Sequence, residues 1–143
     1  MSTRPSLAPC VLDVTVLHEL ARGDVATIGL IQGYDAANQP MVLSTLATTR
    51  TLVDTPSAQA TDAIRGLTAL ERVMVAPLRD AEQAIRLANL MTVSALDVWD
   101  AHVAAIADTS ICPILTYDAD RWRGASDALD QPLPIIEIAE PGL

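Results

Sequence analysis

Three aspartates stand where a layered α/β sheet would place its chemistry. Asp13 closes the apolar run APCVLD, Asp100 lies inside the otherwise apolar stretch DVWDAHVAAIAD, and Asp118 comes two residues beyond Leu115-Thr116. Asp97 is three residues before Asp100 and shares its helical face, and Asp120 follows Asp118 by two. Carboxylates brought this close cost more than about 1 kcal/mol per desolvated pair unless cations lie between them. Ligation by oxygen alone suits Mg²⁺ or Mn²⁺ rather than zinc. Divalent ions held in this way would in turn meet an anionic substrate.

Each of these residues also has a plainer reading. Asp97 and Asp80 fit helix caps, Asp13 can cap the helix that follows it, and Asp118 suits a turn. Asp100, inside an apolar helix, is harder to explain in that way. His18-Glu19 begins like HExxH, but Arg22 stands at the fifth position and the zinc motif fails. GxGxxG, the P-loop and GxSxG are absent, which removes the dinucleotide, P-loop and hydrolase-elbow readings. His102 reads as packed or solvated. Trp99 and Trp122 read as core or interface residues rather than a base-stacking platform. Arg65, Arg72, Arg79 and Arg86 recur every seven residues but run from a helix through a strand into another helix, so they are solvated surface and not one stripe.

The elements that must position the aspartates follow from the apolar pattern. Strands are expected over residues 9–12, 41–44, 73–78 and 112–116, with a fifth, edge strand in PLPIIEIAE, where Pro132 and Pro134 cannot donate to a ladder. Helices are expected over 14–23, stopped by Gly23, over 25–34 behind an Asp24 cap, and over 46–54. A further helix lies within 57–73, capped by Thr55 or Ser57, with Ala60, Ile64, Leu67 and Leu70 on one face. Asp80 opens the next, with Ala84, Leu87, Ala88 and Met91 inward, and Ser94 or Asp97 caps the one that ends near Asp108. Residues 36–40 read as loop and YDADRW as an acidic turn. Apolar strands alternating with helices imply a parallel sheet of four or five strands covered on both faces, with its site beyond the strands' carboxyl ends.

The chain has 143 residues, which suits a single domain spanning 1–143. Half of them are hydrophobic and none is Phe, so the core must be built from Ala, Val, Ile and Leu. Nine basic residues, all Arg, face eighteen acidic ones for a net charge of −9, which disfavours a basic groove for nucleic acid and leaves metal ions as the means of meeting an anionic substrate. Cys10 and Cys112 are too few for a disulfide framework and read as buried thiols. No apolar run approaches the roughly 18 residues of a membrane span, and the N-terminus is a poor secretory signal, so a cytoplasmic protein without membrane contact is expected.

At this point the sequence resembles a family. VLDVTVL is similar to the opening strand of PIN domains, DAHVAAIA to their DALIAA-type helix, and PILTYDADRW to their strand-and-turn LVTRDRDF, with VMVAPL as the intervening strand. The resemblance spans about residues 9–138. It implies a three-layer α/β/α fold and a metal-dependent nuclease, a hydrolase of the VapC ribonuclease-toxin type. It further implies RNA as substrate, a protein antitoxin as partner and a homodimer. By resemblance Asp13, Asp100 and Asp118 are the catalytic and metal-binding carboxylates, Asp97 and Asp120 are further ligands, and Thr15 and Thr116 are the hydroxyls beside them. The family's S-x-x-x-x-x-E segment is here STLATTR, with Arg50 in place of the Glu and Asp54 one helical turn further on. The alternative to a ribonuclease, impaired or not, is therefore a degenerate PIN-like protein that works by binding a protein or RNA.

Overall fold

A computed structural model describes residues 8–139. Five short strands, β1 (Cys10–Leu12), β2 (Met41–Ser44), β3 (Val73–Ala76), β4 (Ile114–Thr116) and β5 (Ile135–Glu137), pair in the order β3-β2-β1-β4-β5, every pair parallel. Seven helices connect them: α1 (Val14–Ala21), α2 (Val25–Ala36), α3 (Thr45–Asp54), α4 (Ala58–Thr68), α5 (Ala81–Ser94), α6 (Val98–Ser110) and α7 (Asp120–Ala128). The result is the three-layer α/β/α sandwich expected, with β1 at its centre. Right-handed crossovers carry α1–α4 to one face as the chain steps from β1 to β3, and α5–α7 to the other as it steps from β3 to β5. The direction of winding reverses between β1 and β4. Asp13 and Thr116 end those two strands, so the crevice of an open α/β sheet falls on them.

The core is aliphatic as composition required. Val11, Leu12, Leu43, Ile114 and Leu115 in the central strands are sealed between Leu17 and Val16 of α1 and Val103 and Ala104 of α6. Small residues at Ala101, Ala104 and Ala107 let α6 lie close to the sheet. Polar caps start the helices: Asp13, Asp24, Ser44, Ser57, Asp80 and Asp97 each accept a backbone N–H from the first turn. Of the paired alternatives, Ser57 caps α4 and Asp97 caps α6. Gly23 ends α1 at φ +81°, and a Cβ there would meet Gln59 Nε2 at 2.8 Å. Cys10 and Cys112 are buried free thiols, and burial pushes Cys10 up to about 11.

Four details differ from the sequence-based expectation. The run RWRGASDA is helix α7 rather than part of a turn, because Trp122 and Ala125 supply a buried face. Helix α2 continues through Ala36, two residues beyond Tyr34, so the loop begins at Ala37. Helix α4 stops at Thr68, and Leu70 packs from the following turn. In α5 the buried positions are Leu87 and Ser94, while Ala84 and Ala88 face solvent, because this helix packs on α6 and α7 rather than squarely on the sheet. Among the described residues no single helix is long and apolar enough to cross a membrane. Glu140 and residues 1–7, included above in the edge strand and the leader reading, lie outside them.

Candidate functional site

The site grows from the end of β1. The strand is wholly buried, so Asp13 emerges buried too, 0% exposed, and its carboxylate must find partners within the protein. Oδ1 accepts the Val16 backbone N–H at 3.1 Å as the cap of α1, and the Thr15 hydroxyl at 2.5 Å. Oδ2 accepts the indole N–H of Trp122 at 2.9 Å, from α7. Having donated its proton to Asp13, Thr15 accepts from the Tyr117 N–H at 3.0 Å, and its oxygen lies 3.2 Å from the Thr116 hydroxyl oxygen. The two hydroxyls thus tie the ends of β1 and β4 together beside the carboxylate.

Asp100 arrives from the opposite layer. Asp97 caps α6 by accepting the Asp100 N–H at 3.1 Å, which fixes the first turn and turns the Asp100 side chain inward, where the residue is 6% exposed. Its Oδ2 takes a 2.5 Å hydrogen bond from Arg121 Nη2, and its Oδ1 is buried without a partner. Burial pushes the Asp100 carboxyl above its ordinary range, the Arg121 hydrogen bond and charge pull it down, and the Asp97 and Asp13 charges push it up again. Burial alone would lower the Arg121 guanidinium, but its bond to Asp100 and the field of Asp100, Asp13 and Asp97 hold it above its usual value. Arg121 is thus the cation bonded to Asp100, with the Asp13 and Asp97 charges near enough to act on it.

Asp118 lies on the exposed turn beyond β4, whereas Asp120, expected in that turn, is the first residue of α7. The Asp118 backbone N–H binds the Thr116 hydroxyl at 3.0 Å, and the Asp120 carboxylate pairs with Arg123. Arg50 is engaged elsewhere: its Nε reaches Asp54 at 3.1 Å and its guanidinium lies 5.8 Å from the centre of the Trp99 ring. Asp54 also meets His18 at 3.0 Å. His102 is a packed residue, its Nδ1 2.6 Å from the Ser44 hydroxyl. Reading the sequence did not find Arg121 or the polar role of Trp122. The signal was present, since Trp122, Ala125 and Leu129 recur at helical spacing through an otherwise polar run.

The donor set does not make a ready seat for Mg²⁺ or Mn²⁺. Both oxygens of Asp13 are engaged by neutral donors, and one oxygen of Asp100 is engaged by a guanidinium while the other, Oδ1, is buried without a partner. Among the described residues no three His, Cys, Asp or Glu side chains form a group that could hold a metal ion.

With the geometry in hand, its relatives by shape can be named. No protein-family model matches the chain, and no curated protein matches it. Solved structures do. The VapBC2 assembly from Rickettsia felis, crystallised with a DNA fragment from their promoter, contains a chain that aligns with a TM-score of 0.64 at 11% identity, covering 92% of this chain and 99% of that one. PAE2754 from Pyrobaculum aerophilum aligns with a TM-score of 0.55 at 14% identity, covering 91% of this chain and 83% of that one. The class is therefore a doubly wound α/β domain with carboxylates at its switch point. Its particular fold is the VapC-like PIN fold.

Proposed function

We propose that this chain is a VapC-like protein of the toxin–antitoxin kind that acts by binding a protein partner, its carboxylate crevice closed by its own arginine rather than filled by metal. The observation that carries this reading is the bond from Arg121 to Asp100 in the field of Asp13 and Asp97. A guanidinium already neutralises the crevice, so a divalent ion must displace it before it can bind. The net charge of −9 favours a partner with a basic segment over RNA. The Rickettsia neighbour was itself crystallised as a two-protein assembly, which supports an antitoxin-type partner.

A second reading, a Mg²⁺- or Mn²⁺-dependent endoribonuclease, is favoured by the partnerless Asp100 Oδ1. A buried carboxylate oxygen with no donor suits an incoming cation, and Arg121, about a third exposed, has room to swing out. One experiment separates the two. Wild type, Asp13→Asn and Arg121→Ala are incubated with single-stranded RNA and Mn²⁺, and each is co-expressed with the product of the neighbouring reading frame. We expect no cleavage by wild type, and co-elution with the partner that Asp13→Asn preserves. Mg²⁺- or Mn²⁺-dependent cleavage by wild type that Asp13→Asn abolishes establishes the nuclease reading instead.

A further inference from the structure

A second crevice opens on the other side of the sheet's centre, where β3, α5 and α6 fail to close over one another. Its volume is about 380 Å³, enough for a small organic molecule. Val42 and Met74, paired neighbours in β2 and β3, line it together with Leu87 of α5 and Ile106 of α6. Besides Thr109 and Ser110 near the end of α6, polar groups lie by the carboxyl ends of β2 and β3. His102 sits beside Ser44 at the carboxyl end of β2, level with Ala76 at the end of β3, and Arg79 follows in the turn. That turn is held in place, since the Arg79 N–H donates to Gln83 Oε1 at 2.6 Å. Arg86 is one helical turn beyond Gln83 and lines the same cleft.

Charge and hydrogen bonding say what would occupy it. Of the nine arginines in this acidic chain, Arg79 and Arg86 both line the cleft, and neither is paired with a carboxylate among the described residues. His102 adds an imidazole whose Nδ1 lies 2.6 Å from the Ser44 hydroxyl, which leaves Nε2 uncommitted to the protein. The mouth is apolar, with Met74 54%, Val75 47% and Leu78 37% exposed. A site with two unspent cations, an uncommitted imidazole nitrogen and aliphatic walls is complementary to an amphipathic anion.

We infer that the β3–α5–α6 cleft binds a small carboxylate with an apolar body, its head group on Arg79 and Arg86 and its tail along Val42, Met74, Leu87 and Ile106. This site is separate from the Asp13–Asp100 crevice and does not depend on how that crevice is used.

The test is an amide chemical-shift titration of the full chain with sodium octanoate, and with 1-octanol as an uncharged probe of the same length. Octanoate is expected to move the amides of Met74, Ala76, Leu87 and His102 and leave Asp13 and Asp118 unmoved. In Arg79→Gln/Arg86→Gln, which alters only exposed side chains, octanoate should bind at least about tenfold more weakly, since both charge-assisted contacts are lost, while octanol changes little. The inference is overturned if octanoate up to about 10 mM moves no cleft amide, a bound set by the small affinity available to so few atoms. Equal binding of octanoate to wild type and the double variant overturns it too. So does concentration-dependent broadening of the cleft amides that octanoate fails to reverse, which would assign the surface to a second copy of the chain.

Discussion

Trp122 donates its indole N–H to Asp13 Oδ2 at 2.9 Å, joining α7 to the end of β1 across 109 positions of sequence. Both residues are 0% exposed, so this bond lies where water cannot replace it. It keeps a buried carboxylate satisfied and holds α7, with Arg121 on it, against the crevice.

Trp122→Phe retains most of the ring and removes the donor. A hydrogen bond to a charged, buried acceptor is worth about 1.5–3 kcal/mol, and the substitution should cost that much in urea unfolding followed by circular dichroism. Trp122→Ala adds a cavity and should cost about 3–5 kcal/mol. A loss under about 0.5 kcal/mol for the Phe variant would mean that Asp13 does not need this donor.

Two buried groups give stability a pH dependence with opposite signs. His102 is held below its ordinary 6.5, so the unfolded chain takes up the proton first, and stability is lost as pH falls from 6.5 toward the folded value. Asp100 is held above its ordinary 3.8, so the folded chain holds its proton longer, and stability is lost as pH rises from 3.8 through the folded value. Denaturant midpoints measured across pH 3.5–7.5 (about the range these groups span) should fall on approaching the middle from either side. His102→Gln should flatten the upper limb and Asp100→Asn the lower. An unchanged profile in either variant would remove that residue from the account.

Ile111 ends α6 in the left-handed region at φ +50°, with its side chain 84% exposed. A β-branched residue there carries steric strain of about 1–2 kcal/mol, and no burial is lost by removing it. Ile111→Gly, the residue preferred at this position, should raise stability by about 1 kcal/mol by thermal or urea unfolding. A destabilised variant would show that Ile111 covers something in the folded protein.

Arg50→Glu tests whether this position belongs to the crevice. Its guanidinium stacks near Trp99 and pairs with Asp54, so the substitution loses a cation–π contact of about 0.5–1 kcal/mol and sets two carboxylates one helical turn apart. We expect a loss of about 1 kcal/mol and no change in the melting shift caused by Mn²⁺. A larger Mn²⁺ shift in the variant would place residue 50 on the crevice after all.

Most of this architecture could be read before any tertiary contact was known. The strands at 10–12, 41–44 and 114–116 are continuous aliphatic runs, and Asp24, Ser44, Asp80 and Asp97 begin helices by binding backbone within three residues of themselves. Signals of that range are local, so they survive without the rest of the chain, and the alternation of strand and helix then leaves few ways to wind the sheet. Helix α7 is the opposite case. Its cap position, Ala119, offers no side-chain oxygen, and the Ala119 N–H is taken at 2.7 Å by Glu137 from β5, eighteen residues on. The same holds for the crevice. That Asp13 and Asp100 lie near one another follows from which strand ends they flank, but the choice of Arg121 as their cation and of Trp122 as the donor to Asp13 was made by packing α7 over β4. The partners of Arg50, Asp54 and Trp99, were settled in the same way. An aspartate's charge is a property of its residue type, whereas the group that neutralises it is whichever donor the finished fold brings within about 3 Å.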